Sequence, residues 1–277
     1  MKVIKNIIIF ILEIILTVSI VGLITINLLS NTIFSKEYAL AKLDETNYYS
    51  NIYNYIQSNF EKYTQQSGLE SSVFENVITE DLIKEDTLKI INNIYESDDS
   101  EITTEALEEN LKANIKSQIG DNQVLKDDAL DDFTKTIAKE YKTSISKYKV
   151  FDEIGSKFTK IKMLLSVVQV IVITVLVADI ILILVINLKT IIKFLSGMGI
   201  SILSSGILFE VIKLYISKKI NIQNISILNE YISETVKNII NEIMAVFGNY
   251  ATYLIILGII VVIISSLIES KKKQKND

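Results

Sequence analysis

Four long apolar segments dominate the alternation of hydrophobic and polar residues along the chain. Each exceeds the roughly 20 residues that an α-helix needs to cross the hydrocarbon core of a bilayer. They cover about residues 6–29, 163–188, 191–216 and 245–268. The pattern predicts an all-α membrane protein with four transmembrane helices and a polar segment, residues 31–160, between the first two.

The long polar segment has the periodicity of helices. Aromatic and aliphatic residues recur in it at spacings of three and four, which places them along one face of a helix. The clearest run comprises Tyr49, Tyr53, Ile56, Phe60 and Tyr63, and Ser67 and Gly68 end it. We therefore expect a helical extracytoplasmic domain with these side chains in its core. A loose stalk, or a tyrosine face that binds cell-wall sugars, is the alternative.

Further helices are predicted in the rest of this segment. Residues 72–75 fit a capping box, in which a serine and a glutamate side chain bind free N–H groups at a helix start. A second helix is expected from there to about residue 95. Helical spacing resumes over residues 104–119, and from residue 124 it continues into the second apolar segment as one long helix.

The shorter polar segment, residues 217–244, separates the third apolar segment from the fourth. Its second half has helical spacing and predicts an amphipathic helix. Such a helix docks on the larger domain, lies on the outer membrane surface or binds a partner. Docking within the chain is the expected use.

Lysines predict the orientation, because the cytoplasmic flanks of transmembrane helices carry an excess of basic residues. The lysines that mark segment ends are Lys2, Lys5, Lys189, Lys193 and those of the tail, residues 269–275. They lie before the first segment, at the tight turn between the second and third, and after the fourth. With four crossings they agree on cytoplasmic N and C termini in the cell membrane.

Two features of the flanks bear on this orientation. The first apolar segment is expected to be an uncleaved signal anchor, since it exceeds the roughly 7 to 15 apolar residues of a signal peptide and no A-x-A site follows. Some lysines lie on the predicted outer side and oppose this orientation; they are Lys157, Lys160, Lys162, Lys218 and Lys219. Long translocated segments obey the charge rule loosely, so only the last two are an objection, and a minor one.

Missing residue types restrict the chemistry. The 277-residue chain contains no cysteine, histidine, tryptophan, proline or arginine. It therefore has no histidine-based catalytic triad, no thiolate or imidazole metal site and no bidentate arginine clamp for phosphate. We expect no enzymatic activity, no cofactor and no metal site. The abundance of Ile, Asn and Lys is typical of low-GC bacteria.

Charged residues inside the apolar segments are candidates for function, because burying a charge in a bilayer is costly. Glu13 and Asp179 lie on antiparallel segments at similar distances from the cytoplasmic ends, so they are expected within one helical turn of the same depth. Two carboxylates in one layer favour a shared proton or a bound cation. The structural alternative is that each is protonated or hydrogen-bonded to Thr17, Thr174 or the backbone.

The third apolar segment contains two further features. Glu210 and Lys213 lie three residues apart and are expected to form an ion pair or to extend toward the outer interface. Gly197, Ser201 and Ser205 recur at spacing four, a pattern that lets helices approach closely. We expect this helix-packing face to contact another span of the same chain, with a homo-oligomer or a partner subunit as the alternative.

The predicted outer domain is acidic. Residues 31–160 contain 25 Asp and Glu against 15 Lys. Its densest run, Asp127, Asp128, Asp131 and Asp132, lacks the glycine turn and carbonyl ligands of calcium loops, so we expect a solvated face. Nucleic-acid binding is not expected from an acidic domain. The expected partners are the lipid bilayer and a protein at the outer surface.

The function expected first is that of a non-enzymatic scaffold, sensor or accessory subunit acting at the cell surface through the outer domain. A transport-class function is the alternative. The layout of spans and outer segments resembles that of FtsX-like ABC permeases, a resemblance of topology without a shared motif. Such permeases need a cytoplasmic surface for their ATPase, whereas the connection around Lys189 is very short. A small ion-coupled transporter or channel subunit using Glu13 and Asp179 is the other transport-class possibility.

Overall fold

Helices form the regular structure of the protein in the computed structural model, which describes residues 2–96, 98, 100–120, 127–146, 150–188, 190–219 and 230–274. No β-strand occurs in these ranges, so the all-α prediction is confirmed. The α-helices, in chain order, are α1 Lys2–Asn31, α2 Lys36–Glu45, α3 Tyr48–Ser67, α4 Glu80–Glu96, α5 Glu105–Ile119, α6 Asp127–Ser146, α7 Val150–Ile186, α8 Ile191–Lys219 and α9 Glu230–Gln274.

The chain divides into two compact units. The first comprises Met1–Ile33, Lys162–Ile227 and Val236–Asp277, and is called the four-helix unit below. The second comprises Phe34–Ile161 and Leu228–Thr235, and is called the acidic unit.

Four helices are long and apolar enough to cross a membrane, as predicted. The qualifying stretches are Val3–Asn31, Lys157–Ile186, Ile191–Lys219 and Ser233–Lys272. Most extend beyond the predicted apolar segments because lysine and glutamate at the ends are good helix formers and continue the helix past its apolar part.

Within the four-helix unit, α1 lies between α7 and α8, and α9 packs on α8. Gln169 of α7 donates to Asn27 Oδ1 of α1 at 3.1 Å. The rings of Phe209 on α8 and Phe247 on α9 lie 5.5 Å apart, in a cluster of buried side chains.

The outer surface of the four-helix unit is apolar. Large side chains on its helices are exposed, among them Phe10 at 62%, Val170 at 65% and Tyr253 at 69%. A surface of this kind over four helices greatly exceeds the apolar patches of soluble proteins.

The acidic unit is built around its own hydrophobic core. Ile56 and Phe60 of the predicted run are buried in α3, and so is Ile52, which lies one turn before Ile56 and was not part of that run. The facing side chains come from α5 and α6, with Leu111 and Ile137 fully buried. The segment therefore has a hydrophobic core of its own, which a loose stalk would lack.

The helix boundaries in this unit confirm one prediction and correct another. Gly68 ends α3 with φ 74°, a conformation that glycine adopts without strain. The predicted capping box is wrong: Ser71–Phe74 is a short 3₁₀ helix. The next helix starts at Glu80, where Thr79 Oγ1 accepts from the N–H of Leu82 at 3.1 Å. The extra residues turn the chain so that Val77 and Ile78 reach the core.

Two connections that the sequence left open fall partly outside the described residues. One continuous helix is predicted from residue 124. The structure describes α6 and α7 in this part of the chain, and residues 121–126 and 147–149 lie outside the described residues. In the shorter polar segment, residues 220–229 are outside the description. Its second half is the beginning of α9, and Thr235 Oγ1 there lies 2.9 Å from Thr46 Oγ1 of the acidic unit.

One buried carboxylate connects two helices of the acidic unit. Asp86 of α4 is 1% exposed, and its Oδ2 accepts from the hydroxyl of Tyr141 on α6 at 2.7 Å. Its Oδ1 accepts from Lys89 Nζ at 2.9 Å. Burial, and then the hydrogen bond to Asp86, raise the pKa of Tyr141. The hydroxyl therefore stays protonated and donates to the carboxylate.

We expect Tyr141→Phe to destabilise the packing of α4 on α6 by about 1–3 kcal/mol, because it leaves a buried carboxylate oxygen without its donor. Hydrogen exchange of backbone amides in the full chain measures this as faster exchange in α4 and α6. Tyr55→Phe is the control, since that ring is only partly buried at the edge of the core. Equal exchange in both variants would contradict the role of the hydrogen bond.

Candidate functional site

The predicted packing face of α8 lies against α1. Ser201 Oγ donates to the carbonyl of Glu13 at 3.2 Å. Ser205 Oγ lies 3.2 Å from the carbonyl of Thr17 and shares its hydrogen with the carbonyl of Ser201 in its own helix at 2.7 Å. Thr17 Oγ1 contacts the carbonyl of Ser201 at 3.4 Å. These hydroxyls bond to backbone carbonyls of the neighbouring helix, so two helices with little apolar bulk between them are held together by polar contacts.

The opposite face of α8 approaches α9 just as closely, and glycines of both helices lie at this contact. A Cβ atom on Gly206 would lie 2.8 Å from the carbonyl oxygen of Ala251. A Cβ atom on Gly258 of α9 would lie 2.5 Å from the backbone nitrogen of Leu203. Small residues on two faces of α8 therefore allow both α1 and α9 to approach it closely.

Glu13 occupies a notch at Gly197. A Cβ atom on Gly197 would collide with Glu13 Oε1, so the absent side chain leaves the space that the carboxyl group fills. Glu13 is half-buried, and its carboxyl group has no hydrogen bond within the described part of the chain. Thr17 Oγ1 bonds to the Glu13 carbonyl at 2.8 Å rather than to the carboxylate.

Asp179 is on α7 and is 3% exposed. Its Oδ2 is buried and has no hydrogen-bond partner in the described ranges. Thr174 does not supply one, because its hydroxyl bonds to the carbonyl of Val170 at 2.8 Å. A buried polar atom without a partner is uncommon in native structures and calls for an explanation.

The contacts of α1 with α7 place Glu13 and Asp179 at the same level. Lys5 Nζ donates to the carbonyl of Ile186 at 2.7 Å, and the helices run antiparallel. Glu13 lies eight residues after Lys5 on α1. Ala178, the neighbour of Asp179, lies eight residues before Ile186 on α7. Glu13 contacts α8, however, and no hydrogen bond between the two carboxyl groups occurs among the described residues. A shared proton or cation stays a prediction.

Glu210 and Lys213 form the ion pair considered from their spacing. Lys213 Nζ lies 2.9 Å from Glu210 Oε1, and both side chains are about one-third exposed. The Lys213 side chain runs over Gly248 of α9, where a Cβ atom would lie 3.0 Å from Nζ. A glycine on a neighbouring helix thus accommodates this charged side chain, as Gly197 accommodates Glu13.

Some carboxylates in the aspartate run of α6 are paired with lysines of α5. Asp131 bonds to Lys112 of α5, and Lys116 lies 3.6 Å from Asp127. The hydrogen bond from Lys112 lowers the pKa of Asp131, which keeps that carboxyl group ionised. Within the described residues no three acidic side chains converge as metal ligands.

The acidic unit also has an open cleft of about 730 Å³ between α3, the 3₁₀ helix and the start of α4. Tyr53 and Gln57 of α3 lie on one side and Glu75 and Glu80 on the other. Tyr53, one of the residues that recur at helical spacing in α3, packs on the core and also lines this cleft.

Comparison with known proteins identifies no relative of this chain: no family model matches it, nor does any curated protein or solved structure.

We expect Gly258→Ala to destabilise the four-helix unit by about 1–3 kcal/mol, because the added methyl group meets backbone atoms of Leu203 that cannot move independently of α8. Reversible unfolding of the purified protein in mixed detergent micelles measures the change.

Gly22→Ala is the matched control, since its Cβ atom would make only an ordinary contact with Val172 at 3.9 Å. Alanine also favours the helix over glycine by roughly 1 kcal/mol. The control should be neutral or stabilising, and equal losses in the two variants would contradict the assigned close approach of α8 and α9.

Proposed function

We propose that the chain is a multi-pass membrane protein in which the four-helix unit is the anchor and the acidic unit is a non-enzymatic binding module at the outer cell surface. In this proposal α1, α7, α8 and α9 cross the bilayer, both termini are cytoplasmic, and residues 34–161 lie outside. The module acts as a scaffold or sensor for a protein partner.

The observation that carries the proposal is the contrast between two surfaces. Large apolar side chains are exposed on all four long helices, as a lipid environment requires. In the acidic unit, by comparison, the aliphatic and aromatic side chains form an internal core. A folded, charged domain between the first two spans is the part of the chain that is equipped to meet a soluble partner.

The cleft gives this module a candidate contact surface. Its lining combines two aromatic residues, two amides and two carboxylates, and no lysine lines it. Its charge favours a neutral or basic segment of the partner over an acidic one.

The connection between α7 and α8 favours an anchor over an ABC permease. α7 ends at Ile186 and α8 begins at Ile191, so the connection between the two helices is very short. This turn offers little surface for a cytoplasmic ATPase.

Single cysteines at Ser100, Thr190, Ser226 and Ser270 test the orientation, because the chain has no other cysteine. A membrane-impermeant maleimide added to intact cells should label the variants at Ser100 and Ser226 only. Labelling at Thr190 or Ser270 would invert the topology and place the acidic unit in the cytoplasm.

A photoreactive amino acid at Gln57 tests the contact surface in the same cells. We expect a cross-linked adduct of defined mass from this position and none from Lys139, which is exposed on α6 away from the lining of the cleft. Adducts at both positions, or at neither, would contradict recognition through the cleft.

A further inference from the structure

We propose that Asp179 is a reversible proton-binding site within the four-helix unit. This function goes beyond anchoring, because an anchor requires no ionisable group at that position. It makes the packing of α7 against α1 responsive to protonation.

The first argument is the burial of an unpartnered carboxyl oxygen. Asp179 is 3% exposed, and Oδ2 has neither a hydrogen-bond donor nor a cation beside it in the described ranges. An ionised carboxylate without partners is very costly in apolar surroundings, whereas a bound proton removes the charge. The environment therefore favours the protonated carboxyl group.

The second argument is the direction that Asp179 faces. The side chain of Val172, two helical turns earlier on α7, faces Gly22 of α1, where a Cβ atom would lie 3.9 Å from its methyl groups. Residues seven apart lie on the same side of a helix, so Asp179 faces α1 as well. The titratable groups that α1 presents near this level are Glu13 and, toward the helix end, Lys5; on α8, Lys193 is exposed near the helix start.

The third argument is a second buried polar side chain toward the helix end. Asp179 and Ile183 of α7 and Asn187 just after it recur at spacing four, and all three are buried. Asn187 is 1% exposed, and its Oδ1 is also buried without a partner, while its amide nitrogen donates to the Ile183 carbonyl at 3.1 Å. Asn187 lies at the turn after α7, eight residues or about 12 Å of helix rise from Asp179, so two buried oxygens without a partner lie along this face.

A proton fits this site better than a metal ion. Hard cations such as Ca²⁺ bind six or more oxygen ligands, whereas Asp179 is flanked on its buried face by aliphatic side chains such as Ile183. Glu13, the acidic group of α1 at this level, fills its own notch at Gly197 of α8.

Infrared spectroscopy of the full chain in lipid tests the proposal directly, because the C=O stretch of a protonated carboxyl group is separate from that of a carboxylate. The protein should show such a band that disappears reversibly as the pH rises. Asp179→Asn should lose the band, Asp179→Glu should shift it, and the matched variant Glu13→Gln should keep it. A band that persists in Asp179→Asn, is lost in Glu13→Gln, or does not respond to pH would overturn the proposal.

Labelling with dicyclohexylcarbodiimide distinguishes a proton from a monovalent cation, since this reagent modifies protonated carboxyl groups in apolar surroundings. Mass spectrometry should find the adduct on Asp179, with a yield that falls as the pH rises and is unchanged by sodium or potassium. Protection by either ion would show a cation site and overturn the assignment. Circular dichroism of every variant confirms that the helices are retained, so that loss of a signal reports on the carboxyl group.

Discussion

The close approach of α8 to its two neighbours is the constraint on which the four-helix unit depends. Helices in apolar surroundings gain little from burying more apolar surface, so packing and polar contacts must hold them together. Ser201 and Ser205 supply hydroxyls to the carbonyls of α1, and Gly206 lets α9 approach backbone to backbone. Bulkier side chains at these positions would separate the helices.

Charged residues of the unit are accommodated by the same means. Glu13 fills the space left by Gly197, and Lys213 runs over Gly248 while it pairs with Glu210. Asp179 differs from both, because it is more deeply buried and has an oxygen without a partner. This difference is the reason why Asp179, rather than Glu13, is the residue to which we assign proton binding.

The acidic unit follows the rules of soluble domains. Its core consists of aliphatic and aromatic side chains, and its one deeply buried carboxylate, among the residues described there, is satisfied by Tyr141 and Lys89. The contrast with Asp179 is informative, since both are aspartates and both are almost inaccessible. A structural role accounts for Asp86 because its partners are present.

Much of the fold was predictable from the sequence because length and periodicity are local properties. The four apolar helices, the buried stripe of α3 and the helix end at Gly68 needed no knowledge of distant contacts. The start of α4 was mispredicted, because the buried positions of Val77 and Ile78 are set by tertiary packing and outweighed the local capping pattern of Ser72.

The candidate site was predictable only in part, for the same physical reason. The ion pair of Glu210 with Lys213 follows from a spacing of three, whereas the notch at Gly197 depends on which helix faces α8. Asn187 was missed, although its spacing of four from Ile183 and eight from Asp179 was a signal for a shared face. The absence of a partner for Asp179 is visible only in three dimensions.

Protease protection in oriented membranes tests the central claim, that four helices span the bilayer with the acidic unit outside. Trypsin cleaves after lysine, and Lys62 and Lys139 of the acidic unit are exposed, as are Lys271 and Lys272 near the end of α9. The account predicts that trypsin digests the acidic unit in spheroplasts, and that in inverted vesicles it removes the C-terminal tail and leaves the acidic unit intact. Digestion of the acidic unit in inverted vesicles, with the tail protected, would contradict it.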